Sequence, residues 1–185
     1  MNEINLANIV GSLEGTLEAL RSANREDNRM FSLYAEYLVA LQFAQLGFNA
    51  EVVNKRSYDV LLNDDLRIEV KTGKYEYSGA AASFGKGKQI KDAMFDYCIF
   101  LTYHGLRVKE TLVFSRRELE EVALKPRGSS VVRYPETNPC ILLRYDSLEN
   151  YLNGIEESDR LDIEVELHKH PEKFVNRWDK VKRTD

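Results

Sequence analysis

Asp59, Glu69 and Lys71 are the residues in this chain whose types and spacing could do chemistry. Asp59 is the only acid in the apolar stretch SYDVLL, and Glu69 and Lys71 alternate with Ile68 and Val70 in RIEVK. On a strand, alternation puts Arg67, Glu69 and Lys71 on one face and Ile68 and Val70 on the other. If Asn63, Asp64 and Asp65 form a three-residue loop, Leu62 pairs with Leu66. Counting back then sets Asp59 opposite Glu69, with Cβ atoms roughly 5 Å apart. Two carboxylates that close repel each other, and a divalent cation is the usual remedy. Hard oxygen donors suit Mg²⁺, with Mn²⁺ able to substitute. A two-residue turn would shift the register and send the acids to opposite faces. An ammonium at Lys71 could orient or deprotonate an attacking water, or stabilise charge developing on a phosphate. With a metal that polarises the phosphoryl group, this makes a phosphodiester hydrolase. The plainer alternative is a solvated hairpin face of alternating charge.

These residues need elements to position them. Leu66 to Thr72 reads as a strand, paired through the Asn63-Asp64-Asp65 turn with Tyr58 to Leu62, after a short strand over Asn49 to Asn54. Helical spacing predicts a helix over residues 3 to 22 and another from Phe31 to Leu46, closed by Gly47. The second is apolar nearly all round, and Glu36 is its one formal charge. A helix of that kind is buried, and a lone buried carboxylate is expensive unless paired, hydrogen-bonded or near a metal. Glu36 therefore either joins a functional partner, or faces a solvent gap or an arginine such as Arg56.

Downstream, a Gly/Ala/Ser/Lys loop is expected from Gly73 to about Lys88, then a short helix over about 89 to 94. Apolar strands follow at 96 to 103 and 111 to 115, with a helix at 116 to 124. ILLRY reads as a short strand and SLENYL as a short helix. The order implies one domain over 1–185 of α/β class, a mixed sheet with helices on both faces.

Glu36 in a helix, Asp59 opening a strand, and Glu69-Val70-Lys71 on its hairpin partner resemble the PD-(D/E)XK nuclease superfamily. That group includes restriction endonucleases, archaeal Holliday junction resolvases and repair nucleases. The resemblance spans residues 31 to 115 and departs at Tyr58, where the pattern has proline. It implies a restriction-endonuclease-like mixed sheet of four or five strands flanked by helices. It also implies that Asp59, Glu69 and the Val70 carbonyl hold Mg²⁺, that Lys71 helps activate water, and that Glu36 supports a second metal or its water. Gln89 resembles the glutamine some members place beside the metal.

Residues 66 to 91 hold six Lys/Arg and two Glu, a local net of +4 in a chain whose net charge is −4. Lys74, Lys86, Lys88 and Lys91 in such a glycine-bearing segment suit a phosphate backbone, although solvated loop lysines look the same. Tyr75, Tyr77 and Phe84 could stack on bases or simply anchor the loop. His104, at a strand end, could approach the site but is more often structural there, His168 with His170 is a weaker metal candidate, and Cys98 reads as a small core residue.

At 185 residues, 43% hydrophobic and 30% charged, the chain can build a core, which argues against wholesale disorder and fibrous repeats. No apolar run reaches the roughly 18 residues of a membrane span. The amino terminus lacks signal-peptide order. Two cysteines outside any CxxC pair imply reduced thiols and a cytoplasmic protein. The expectation is a Mg²⁺-dependent endonuclease acting on duplex or branched DNA as a homodimer, restriction-type, repair-type or junction-resolving. A non-catalytic nucleic-acid-binding or regulatory protein on the same fold is the alternative. The role of residues 125–185 is open at this stage.

Overall fold

A computed structural model of the chain describes residues 2–23, 27–53, 55, 57–76, 79–83, 88–105, 107–124, 140–145 and 147–182. The first helix, α1 (Glu3–Ser22), starts where Asn2 accepts a hydrogen bond from the Asn5 N–H at 2.9 Å. It buries Leu6, Val10 and Leu17. The second, α2 (Asn28–Gln45), begins one turn earlier than apolar spacing predicts. Asp27 caps it, its carboxylate accepting from the Arg29 and Met30 N–H groups, and an N-cap of that kind contributes about 1 kcal/mol. The helix ends just before Gly47, whose φ of 87° suits glycine.

The strands β1 (Ala50–Val52), β2 (Val60–Leu62) and β3 (Leu66–Glu76) form an antiparallel meander. Next to β3 lies β5 (Tyr97–His104), parallel to it, and β6 (Arg107–Ser115) is antiparallel to β5. The order β1-β2-β3-β5-β6 is a mixed five-stranded sheet that does not close into a barrel. Residues 73–83 depart from the predicted loop. The chain continues β3 to Glu76 and folds back as β4 (Gly79–Ser83), which pairs antiparallel with both β3 and β7 (Cys140–Tyr145). A run of glycine, alanine and serine has no apolar alternation to announce a strand, and its partner β7 lies about 60 residues further on.

Helices cover both faces, as the alternation within β3 and β5 requires. Val60, Leu62, Ile68, Val70, Ile99 and Leu101 pack against Ala35, Val39, Ala40 and Phe43 of α2. On the opposite face, Cys98, Phe100, Leu112 and Phe114 meet Ile90 of the single-turn helix α3 (Lys88–Lys91) and Val122 of α4 (Glu120–Leu124). Beyond β7 and α5 (Leu148–Gly154), helix α6 (Asp162–Lys169) adds Ile163 and Leu167 to that second face.

The basic tail is structural over its described length. Phe174 stacks on Phe114 with ring centroids 4.8 Å apart, and Trp178 sits edge-on to Phe43 at 5.1 Å. Backbone bonds from Val113 N–H to the Phe174 carbonyl (2.9 Å) and from Asn176 N–H to the Thr111 carbonyl (2.8 Å) tie the tail to β6. Lys180 donates to both carboxylate oxygens of Glu118 at 2.8 Å, above the Phe174 ring. Among the described residues, no helix is long and apolar enough to cross a membrane.

Candidate active site

The turn sets the register. Asn63 and Asp64 adopt positive φ (51° and 64°), which Asn and Asp tolerate better than most residues. The Asn63 side-chain oxygen accepts from the Asn49 N–H at 2.8 Å. The three-residue loop pairs Leu62 with Leu66, Leu61 with Arg67 and Val60 with Ile68. At Asp59 the regular ladder stops. Its main-chain N–H donates to the Ile68 carbonyl at 2.9 Å, its own carbonyl accepts from Val53, and its Oδ2 accepts from the Val70 N–H at 2.7 Å. The carboxylate thus occupies the gap where β2 and β3 part. The alternation breaks at the same point. Val60 faces α2, whereas Tyr58, two residues earlier, packs with Ile90, Phe95 and Cys98 on the other face.

On β3, Glu69 is 2% exposed and forms an ion pair with Lys71, two residues along the same face. Register places Cys98 beside Glu69 and Phe100 beside Lys71, so a buried thiol and a phenyl ring form the floor beneath the pair. Glu36, half-buried on α2, lies close enough for Asp59 and Glu69 to act on its charge. Burial first, then those two carboxylates, push the Glu36 carboxyl up to about 7, against a smaller downward pull from Lys71. Burial also raises Asp59, partly offset by the Val70 N–H and by Lys71. For Lys71, burial pulls the ammonium down, but the charge and hydrogen bond of Glu69 outweigh it and the group is raised. Cys98 is raised well above an ordinary thiol by burial and by Glu69, so it is a thiol and not a thiolate.

Four sequence-predicted residues, Glu36, Asp59, Glu69 and Lys71, are therefore brought into one electrostatically coupled group. Val70 joins them through its N–H. Gln89 lies on α3 next to Ile90, which packs beside Tyr58 and Cys98, but the Gln89 and Lys88 side chains lie outside the described residues, as does Lys86. Lys91 is exposed at the end of α3. Lys74 is exposed on β3 and not in a loop, and pairs in register with Tyr103, which puts it on the face opposite Lys71. His104 is exposed at the far end of β5. His168 and His170 do not act together. The first donates from Nδ1 to the Glu164 carbonyl at 2.6 Å, and the second is 3.3 Å from Glu172. Tyr77, Phe84, the Tyr75 side chain and Arg56 lie outside the described residues.

The donor set fits a hard divalent cation. Among the described residues no three His, Cys, Asp or Glu side chains form a ready-made cage. Two carboxylates plus main-chain, water and phosphate oxygens are, however, the habit of Mg²⁺, which keeps much of its hydration. Carboxyls that resist ionisation because they are crowded and half-dry gain most from a cation. No protein-family model and no curated protein matches this chain.

Sequence reasoning missed Asp96. It grips the Arg67 guanidinium through both oxygens, at 2.9 and 3.0 Å, and Oδ2 also accepts from the Arg67 main-chain N–H at 2.9 Å. Nothing in the spacing announces this pair, because it depends on β5 lying parallel to β3, 29 residues away in sequence. The same pairing carries Cys98 to the site.

Proposed function

We propose that this protein is a Mg²⁺-dependent DNA endonuclease of the PD-(D/E)XK kind. The reading is supported above all by the Asp59 carboxylate set between β2 and β3, with the Glu69–Lys71 pair beside it and Glu36 charge-coupled to both acids. Asp59, Glu69 and the Val70 carbonyl would hold the ion. Bound there, a divalent cation supplies Lewis-acid polarisation of the scissile phosphate and neutralises its charge. The Lys71 ammonium, kept protonated by Glu69, is a hydrogen-bond donor to the attacking water or to a non-bridging phosphate oxygen, and not a base. Glu36 accepts a hydrogen bond from the same water. Water attacks phosphorus in line, losing a proton through Glu36 to solvent, and the opposite P–O bond breaks to leave a phosphate monoester and an oxygen that takes a proton from solvent to become a hydroxyl group.

The substrate in this reading is duplex or branched DNA, met by a homodimer, since one compact site cuts one strand. The free, buried thiol of Cys98 is in keeping with a cytoplasmic setting. Supercoiled plasmid incubated with Mg²⁺, Mn²⁺ or EDTA tests the activity, with wild type set against Asp59→Ala and Lys71→Ala. Metal-dependent nicking by wild type alone is the expected result. Equal residual activity in all three proteins defeats the assignment. Gel filtration with and without DNA tests the dimer, and a monomer in both runs counts against it.

A further inference from the structure

Beside the carboxylates the chain presents two more cations that the proposed cleavage does not use. Lys55, in the segment joining β1 to β2, is exposed, yet its ammonium is held in place. It donates to the Tyr58 hydroxyl at 2.9 Å and lies 5.2 Å from the centroid of the same ring. Tyr58 is 9% exposed and anchored in the core beside Ile90, Phe95 and Cys98. A surface lysine carries about 2 kcal/mol of rotamer entropy, which a ligand must ordinarily remove. Here a core tyrosine removes part of it in advance, one residue from Asp59. The phenol is neutral, so the charge of Lys55 is not cancelled, and its remaining N–H groups have no partner among the described residues.

Arg67 precedes Glu69 by two residues on the same face, about 6.6 Å along the strand. Asp96 engages Nε and Nη2 and so fixes the plane of the guanidinium, 38% of whose side chain stays exposed. Nη1, with two N–H groups, has no partner among the described residues. Tyr58 connects the two cations, since its hydroxyl bonds Lys55 and lies within electrostatic range of the Arg67 guanidinium. Two oriented donors with N–H groups to spare, one of them carrying uncancelled charge, match the tetrahedral oxygens of a phosphodiester.

We propose that Lys55 and Arg67 form a second phosphate subsite, which grips the backbone phosphate next to the one placed over Asp59 and Glu69. This rests on the nuclease reading for the identity of that phosphate, though not for binding itself. Gripping the neighbouring phosphate would hold the strand equally in the bound state and the transition state, a contribution to binding and not to the chemical step.

The test is equilibrium binding of a fluorescein-labelled duplex DNA to the full-length protein in EDTA, titrated across salt, for wild type, Lys55→Ala, Arg67→Gln and the double variant. Each lost phosphate contact should reduce the slope of log K against log salt by about 0.9. Lys55 is exposed, so Lys55→Ala should fold as wild type does, and its thermal midpoint provides the control. In nicking assays the same variants should raise KM several-fold with kcat nearly unchanged, which a merely structural role would not produce. Unchanged salt slopes in both single variants overturn the subsite, as does the absence of duplex binding by wild type at low salt. The two readings fail separately. Reduced slopes in a protein that never nicks DNA would sink the nuclease and leave the subsite. Unchanged slopes in a protein that nicks would do the reverse.

Discussion

The Asp59 carboxylate accepts the Val70 backbone N–H at 2.7 Å, filling the place in the β2–β3 ladder where a main-chain carbonyl would otherwise stand. One side chain therefore does two jobs. It satisfies a buried N–H that would cost about 1 to 3 kcal/mol if left bare, and it presents carboxylate charge to Glu36 and Lys71. The two jobs can be separated by substitution.

Asp59→Asn keeps an acceptor for Val70 and removes the charge. The metal-free protein should hold its thermal midpoint or gain slightly, because Glu36 loses a repelling neighbour. Mn²⁺ binding by calorimetry should weaken by at least about tenfold, the lower end for a disturbed metal site. Nicking should fall by about a hundredfold or more, the scale for removing one preorganised electrostatic group. Asp59→Ala removes the acceptor too, and should melt lower than Asp59→Asn. Identical melting of the two would mean that the Val70 bond contributes nothing.

A second prediction concerns pH. The carboxyl of Glu36 is held up to about 7 in the fold against an ordinary value of 4.5. Between those values the folded protein binds more protons at this site than the unfolded chain, so stability falls as pH rises. The contribution is complete below about 4.5 and is lost as pH climbs through about 7. After discounting for solvent screening of a half-buried group, the loss is about 1 kcal/mol. Asp59 is raised as well and acts in the same direction. Denaturant melts in EDTA at pH 5, 6, 7 and 8 should show the decline, and Glu36→Gln should flatten it. A flat wild-type profile would remove Glu36 from the cluster.

How much of this the sequence disclosed follows from which contacts are local. Helix α1 occupies the predicted residues 3 to 22, and the Leu62–Leu66 register follows from three turn-forming residues with positive-φ tolerance. Asp59, Glu69 and Lys71 are legible because a hairpin is a local object with a period of two. Glu36 is legible as an anomaly, a single charge on an otherwise apolar helix. What stayed hidden depends on pairings between distant segments. The β4–β7 ladder joins residues about 60 apart, and alanines carry no alternation to mark it. The Arg67–Asp96 clasp and the place of Cys98 beside Glu69 both follow from the parallel β3–β5 register. Phe174 and Trp178 belong to the core only because the tail returns to β6 and α2, which its basic composition disguises.

A third prediction sets a limit on the site. Tyr151, fully buried on α5, donates to Glu164 Oε2 of α6 at 2.7 Å, and its ring stacks on His168. Glu164 is itself fully buried, so Tyr151→Phe withdraws a hydrogen bond where water cannot replace it, at a cost of about 1 to 3 kcal/mol. Neither the Tyr151–Glu164 hydrogen bond nor the stacking on His168 involves Glu36, Asp59, Glu69 or Lys71. Chemical denaturation should register the loss, while nicking per folded molecule stays at the wild-type level. A large fall in kcat at full folding would extend the site to the α5–α6 pair.

The last prediction concerns the pair at the centre. Glu69 has a 3% exposed side chain and Lys71 a 21% exposed one, so neither charge is fully met by water. Lys71→Met would take the Lys71 charge away from the buried Glu69 carboxylate, and breaking a buried pair from one side is far costlier than replacing both partners. Partial exposure of Lys71 lowers the expected loss to about 2 kcal/mol, below the range for wholly buried pairs. Glu69→Gln combined with Lys71→Met should recover most of the stability, giving a favourable coupling of at least about 1 kcal/mol in a double-mutant cycle. Mn²⁺ should raise the midpoint of Lys71→Met more than that of wild type, since the ion would then supply positive charge in place of the lost ammonium. Additive single losses, with the same metal response in both proteins, would show that the two charges are solvated separately and that no cation site lies between Asp59 and Glu69.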